Sequence, residues 1–138
     1  MEQGVGRRGG VAHRVENGYA VLQRTWQAGD RIDLVLPMRI QRIQGIDRIA
    51  ATRGQVALRY GPLIYCVESV EQNVDGFLQA GLDLRTDWKA DLLGGVQIIE
   101  GVWADGSPLT AIPYYARNNR APDAGRRVRS LVWLKEQR

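Results

Sequence analysis

The sequence has almost none of the side chains that most catalytic and metal sites require. Its 138 residues include one cysteine, Cys66, and one histidine, His13. A single cysteine cannot form an internal disulfide, and a structural zinc site needs four thiolate or imidazole ligands at close spacing. A cysteine nucleophile needs an activating base, and the one histidine is distant in sequence. We therefore predict that this chain has no catalytic residue and no metal site of its own.

Long apolar runs are also missing. No stretch approaches the roughly 18–20 apolar residues that span a bilayer, so we expect no membrane partner. Residues 1–17 contain glycine and arginine but lack the apolar region of a signal peptide, so we expect a cytoplasmic location. The net charge is +4, and the aromatic residues are not interleaved with the basic C-terminal end as in nucleic-acid binding surfaces. We therefore expect no nucleic acid partner.

Short alternating segments separated by glycine and proline fill most of the chain, which has 16 glycines and 5 prolines. Alternation of apolar and polar residues is typical of a strand with one face on a core. The clearest example puts Ile32, Leu34, Leu36, Met38 and Ile40 on one face, and Pro37 places that strand at an edge or a bulge. The other predicted strands are 18–26, 55–60, 63–68, 96–103, 109–115 and 128–134.

These strands predict an all-β fold, an antiparallel β-sandwich or jelly roll with a long acidic loop. Residues 1–17 show no periodicity and are predicted to be a flexible lead-in, with residues 18–138 as one β-sandwich accessory domain. We predict that residues 69–93 form the acidic loop, with at most one short helix. Asp83, Asp87 and Asp91 recur every four residues, so a shared helix face holding calcium is conceivable, although a solvated acidic loop is favoured.

Three aromatic residues are candidates for contact with carbohydrate: Trp88, Tyr114 and Tyr115. Trp88 lies in the acidic segment between Asp87 and Lys89, which favours exposure. Trp103 lies in a predicted strand and is better explained as a core residue.

Several short sequence motifs occur together in one known family. They are Gly18-Tyr19, Arg24-Thr-Trp26, Gly29-Asp30, Leu36-Pro37-Met38, Arg53-Gly54, Gly61-Pro62-Leu63-Ile64-Tyr65, Gly94-Gly95-Val96, Ile112-Pro113-Tyr114-Tyr115 and Asn119-Arg120. In this order and spacing they resemble the C-terminal β-sandwich region of glycoside hydrolase family 127, the β-L-arabinofuranosidase-like enzymes. The resemblance runs from about Gly18 to Leu134, while Arg117 stands where the family often has an aromatic residue.

The resemblance implies a larger enzyme with a helical catalytic domain on the N-terminal side of this region. In that family a zinc-bound cysteine is the nucleophile and a glutamate is the acid/base, both in the helical part. The paired cysteines of that site have no counterpart here, and Cys66 does not match the nucleophile. The resemblance therefore implies a non-catalytic β-sandwich that supports an absent helical domain, with zinc held by that domain.

Two other functions remain open at this point. A free-standing carbohydrate-binding module would use the exposed aromatic residues and would bind sugars as a well-behaved monomer. A basic interaction protein would bind anions through residues 117–138, with a steep dependence on salt.

Overall fold

The structure is a computed structural model that describes residues 13–70, 72–120 and 127–137. The described residues form strands, turns and two single-turn 3-10 helices, and they contain no α-helix. None of the described residues therefore forms a helix that is long and apolar enough to cross a membrane. The strands are β1 (Arg14–Glu16), β2 (Tyr19–Val21), β3 (Ile40–Gln44), β4 (Gln55–Tyr60), β5 (Leu63–Glu68), β6 (Phe77–Gln79), β7 (Arg85–Lys89), β8 (Val96–Val102), β9 (Pro108–Pro113), β10 (Ser130–Leu131) and β11 (Trp133–Gln137). The 3-10 helices are Ala50–Thr52 and Tyr114–Ala116.

Nine strands form one mixed sheet in the order β6-β11-β4-β5-β9-β8-β7, with β3 paired to β4 and β10 paired to β5. Only the β11–β6 pair is parallel among the strand pairs of the described residues. The sheet curls into a half-barrel, which agrees with the predicted all-β, sandwich-like fold. β1 and β2 form a separate two-stranded sheet.

The core lies on both faces of the nine-stranded sheet. The larger cluster lies on one face and includes Leu58, Tyr65, Ile99, Trp103 and Leu134. The smaller cluster lies on the other face, around Cys66, Ile98 and Ile112. The burial of Trp103, which is 1% exposed, confirms its interpretation as a core residue.

The β4–β5 hairpin lies near the centre of the sheet, with β11 beyond β4 and β9 beyond β5. Tyr60 pairs with Leu63, so Gly61 and Pro62 form the turn. Gly61 has a φ of +55°, and a Cβ built on it would lie 2.6 Å from Cε of Met38. Glycine is therefore required here both by the backbone conformation and by the close approach of Met38.

The predicted strand over Ile32 to Ile40 is wrong for most of its length. The residues from Arg31 to Arg39 form no strand, and β3 begins only at Ile40. The apolar face that the alternation predicted is exposed at Ile32, Leu34 and Leu36. Alternation of apolar and polar residues indicates a preference for the strand conformation, but a strand also needs a neighbouring strand that forms hydrogen bonds with its backbone.

The acidic segment 69–93 is more regular than the predicted loop. It contains two strands, β6 and β7, and no helix among its described residues. Asp87 therefore lies in a strand, where its carboxylate is 2.6 Å from Nζ of Lys89, so the proposed helix face of aspartates is wrong. β7 is stabilised by pairing with β8, and its own sequence does not predict a strand.

The ends of the chain also differ from the predicted bounds. β1 begins at Arg14, inside the segment 1–17 expected to be a lead-in, and residues 1–12 lie outside the described residues. The strand predicted over 18–26 is limited to Tyr19–Val21, and the last predicted strand is divided into β10 and β11. The chain divides into two compact units, with the boundary between Val35 and Leu36.

Candidate functional site

Trp88 lies on β7, the last strand of the sheet order, opposite Gln97 of β8. Its side chain is 58% exposed, as expected from the sequence. One part of the indole covers Gly95, because a Cβ built there would lie 2.6 Å from Cζ2 of Trp88. The ring therefore has a structural contact at the β7–β8 turn as well as a surface open to solvent.

Tyr114 and Tyr115 lie side by side in the 3-10 helix that follows β9. They are 41% and 67% exposed. The guanidinium of Arg117 lies 4.5 Å from the centre of the Tyr114 ring, a cation–π contact. A cation therefore partly covers Tyr114, the less exposed of the two candidates.

Tyr65 is a buried aromatic residue of β5. Its hydroxyl donates a hydrogen bond of 2.8 Å to the carbonyl of Gln97, the residue opposite Trp88. Burial, followed by the nearby Tyr115 and Tyr60, raises the pKa of Tyr65 to about 12. The phenol therefore stays protonated near neutral pH and joins β5 to β8.

Two cavities lie elsewhere on the molecule. One of about 120 Å³ lies between the β3–β4 connection and Glu136, and one of about 410 Å³ is lined by residues such as Asp83, Arg85 and Glu100. Neither is lined by Trp88, Tyr114 or Tyr115. The aromatic candidates therefore lie outside the walls of these two cavities.

Sequence reasoning missed the most complete polar site of the structure, which centres on Glu68 at the end of β5. This carboxylate is fully buried and accepts hydrogen bonds from the Asn118 backbone N–H at 2.6 Å, from Nε of Arg120 at 2.9 Å and from Oγ of Ser130 at 3.3 Å. Asn118 has a φ of +59°, a left-handed conformation that asparagine tolerates. The network fixes the loop that follows Tyr114 and Tyr115 to β5 and β10.

The residues of this network gave a partial signal in the sequence. Asn119-Arg120 is one of the motifs on which the resemblance rests, but no sequence pattern predicts that Arg120 pairs with an acid about fifty residues earlier. A buried charge is costly unless it is paired and hydrogen-bonded, and here the guanidinium and two further donors meet that need. The arrangement positions a loop, and it has no exposed group that could act as an acid or a base.

Cys66 lies beside this network in the smaller core cluster and is 1% exposed. Burial, and to a lesser extent the Glu68 carboxylate, raises the pKa of the thiol to about 11. A nucleophilic cysteine needs the opposite shift and access to substrate. Residues 13–70, 72–120 and 127–137 also contain no group of three or more histidine, cysteine, aspartate or glutamate side chains placed to hold a metal. The residues present therefore do not fit a catalytic zinc.

Comparison with known proteins identifies the family. The sequence model of the glycoside hydrolase family 127 C-terminal domain matches residues 40–135. The chain belongs to glycoside hydrolase family 127. Its strands β3 to β11 are the C-terminal domain of that family.

Family members that resemble the chain are much longer than it is. The non-reducing end β-L-arabinofuranosidase of Bifidobacterium longum subsp. longum is 30% identical over 118 residues, which is 78% of this chain and 16% of that protein. The crystal structure of a family 127 β-L-arabinofuranosidase from Geobacillus stearothermophilus T6 is 31% identical, with a TM-score of 0.64 over 73% of this chain and 19% of that one. A further family 127 β-arabinofuranosidase is 26% identical, with a TM-score of 0.71 over 92% of this chain and 22% of that one.

The chain therefore spans between 16% and 22% of the length of these family 127 proteins. The three aromatic candidates and the Glu68 network all lie inside the matched domain.

Proposed function

We propose that this chain is the non-catalytic β-sandwich portion of a glycoside hydrolase that acts on β-L-arabinofuranoside-like linkages. In this proposal the domain packs on a helical catalytic domain and stabilises it. The observation that carries the proposal is the match to the last domain of enzymes named β-L-arabinofuranosidases.

The chemistry of the described residues is consistent with a structural role for this domain in the larger enzyme. The single cysteine is buried with a raised pKa, and the buried carboxylate is fully engaged with Arg120 and two other donors. We therefore place the nucleophile, the acid/base and the zinc of such an enzyme outside this chain.

An exchange of domains tests the proposal. In the Geobacillus enzyme, the matching C-terminal stretch is replaced by this chain from His13 onward. A supporting domain shares a large interface with its enzyme, so we expect the chimaera to unfold in one cooperative thermal transition. A transition at the melting temperature of the free chain, separate from that of the rest, would instead indicate an independent module.

A free-standing carbohydrate-binding module is the second candidate, favoured by the exposure of Trp88, Tyr114 and Tyr115. Flat aromatic rings stack on sugar faces, and a binding role would require these rings to contact the ligand. Calorimetric titration of the free chain with arabinofuranosides separates the two candidates. Binding that is lost in Trp88→Ala or Tyr115→Ala would favour the module, and the absence of binding favours the supporting role.

A further inference from the structure

The sequence contains a single Asn-Gly step, Asn17-Gly18, and the structure places it in the turn between β1 and β2. Glu16 pairs with Tyr19, so Asn17 and Gly18 are the whole turn. Their φ angles are +50° and +83°, which is typical of a type I′ hairpin turn, and Asn-Gly is the preferred sequence for that turn. The turn is closed by the N–H of Tyr19, so the N–H of Gly18 has no partner strand to bond.

The surroundings of this turn leave both residues accessible. Asn17 and Gly18 are exposed, and a Cβ built on Gly18 would have no neighbour within 4 Å. The side chain of Asn17 forms no hydrogen bond among residues 13–70, 72–120 and 127–137. β1 and β2 are three residues each and form a sheet of their own, and such a hairpin is marginally stable and opens readily. Asn17 therefore combines an unheld amide with an unobstructed neighbouring nitrogen and a backbone that can rotate.

The other three asparagines of the sequence lack this combination. Each of their side-chain amides is held by a hydrogen bond of 3.1 Å: Asn73 to the Asp75 N–H, Asn118 to the Ser130 hydroxyl and Asn119 to the Ala116 carbonyl. Each is also followed by a residue with a side chain, which crowds the next backbone nitrogen. The structure thus separates Asn17 from the asparagines that the fold protects.

We propose that Asn17-Gly18 is a site of spontaneous modification, at which Asn17 loses its amide and becomes isoaspartate or aspartate. Asparagine is one of the thermolabile residues. The deprotonated backbone nitrogen of Gly18 attacks Cγ of Asn17, the N–Cγ bond forms, the Cγ–Nδ2 bond breaks, and Nδ2 takes a proton from solvent and leaves as ammonia. Water then opens the cyclic imide. Attack of water at Cγ gives aspartate, and attack at the backbone carbonyl of Asn17 gives isoaspartate, so the net reaction consumes water and releases ammonia.

Isoaspartate at this position changes the hairpin. The main chain then runs through the Cβ and Cγ of residue 17 and is longer by a methylene group, and a two-residue turn closes only with a specific backbone conformation. Both products also place a new carboxylate beside Glu16. The nine-stranded sheet pairs with neither β1 nor β2, so we expect the modification to open this hairpin and to leave that sheet intact.

Peptide mapping of the whole chain after incubation in mildly alkaline buffer tests the proposal. Trypsin releases Asn17 in the peptide of residues 15–24, and chromatography separates the isoaspartate, aspartate and asparagine forms of that peptide. We expect conversion of Asn17 to be at least about tenfold faster than that of Asn73, because the fold holds Asn73 and leaves Asn17 free. Conversion should also rise with pH, since the nucleophile is the deprotonated nitrogen. Equal rates at the two asparagines, or no conversion at Asn17, would overturn the proposal.

Hydroxylamine gives a second readout, because it traps the cyclic imide and cleaves the chain there. Without denaturant we expect fragments of residues 1–17 and 18–138, and cleavage only in denaturant would overturn the proposal, because the fold would then protect the site. Gly18→Ala puts a methyl group beside the nucleophile and should abolish both conversion and cleavage. Gly29→Ala is the matched control, since Gly29 also has a positive φ, +90°, and an open surrounding, and it should leave both unchanged. Unchanged conversion in Gly18→Ala would show that the Gly18 nitrogen is not the nucleophile.

Discussion

At the scale of single residues, the most notable feature is the buried carboxylate of Glu68, which could not be identified from the sequence. Glu68 can be recognised only when the fold brings Arg120 and Asn118 to it, because these partners are remote in sequence. Cys66 is buried on the face of β5 opposite Tyr65 and Val67, and Ile64 on its own face is 38% exposed, so alternation alone does not predict its burial. Local patterns therefore identify one buried face of a strand, but not whether the other face is covered or which polar groups meet.

Replacing Glu68 with glutamine should destabilise the domain by about 3–5 kcal/mol, because it breaks a buried ion pair with Arg120, whose side chain is 10% exposed, and turns a glutamine NH2 group toward donors that now bind carboxylate oxygens. Urea unfolding measures the change. Asp75→Asn is the matched control, since the Asp75–Arg129 pair is exposed and its loss should not change the midpoint measurably. Equal effects of the two variants would contradict the importance assigned to the buried pair.

The Cys66 thiol predicts a loss of stability in alkaline solution. Burial raises its pKa from 9.0 to about 11, so the unfolded chain loses this proton at a lower pH than the folded chain. The thiol's contribution is fully present below pH 9 and is lost as the pH rises to about 11. The free energy of unfolding should fall more steeply over this range in the wild type than in Cys66→Ala. Parallel curves for the two proteins would show that the thiol is not shielded.

At the scale of elements, the sequence predicted β4, β5, β8 and β9 because each combines alternation with burial in the centre of the sheet. It failed for residues 31–39, where the alternation is clear but no neighbouring strand is present in the described unit. It also failed for β7, whose residues are mostly charged and which depends on pairing with β8. Intrinsic pattern identifies a strand only where the partner strand is part of the same unit.

The turn between β7 and β8 tests whether Trp88 is a structural residue. Gly94 and Gly95 both have positive φ, at +79° and +103°, but only at Gly95 would a Cβ meet the indole of Trp88. Gly95→Ala should therefore destabilise the domain by about 1–3 kcal/mol more than Gly94→Ala. In a Trp88→Ala background, chemical unfolding should show that this difference disappears. A difference that persists would place the strain in the backbone and free the indole for another role.

At the scale of the whole molecule, the order of several short sequence motifs identified the family, and the match to the family model confirms this identification. The motifs identify the family together because they fix turns and close contacts at set spacings, such as Gly61 under Met38 and Gly95 under Trp88. The exposure of Trp88 could be predicted from the sequence, because Asp87 and Lys89 flank it. The hydrogen bond from Tyr65 to Gln97, the residue opposite Trp88, required the register of the strands.

Hydrolysis of p-nitrophenyl β-L-arabinofuranoside tests the central claim most directly. It is measured for the free chain, for the Geobacillus enzyme without its C-terminal domain, and for the chimaera that carries this chain in that place. We predict no hydrolysis by the free chain, a weakened or unstable truncated enzyme, and activity restored in the chimaera. Hydrolysis by the free chain, or a folded chimaera no more active than the truncated enzyme, would contradict the account.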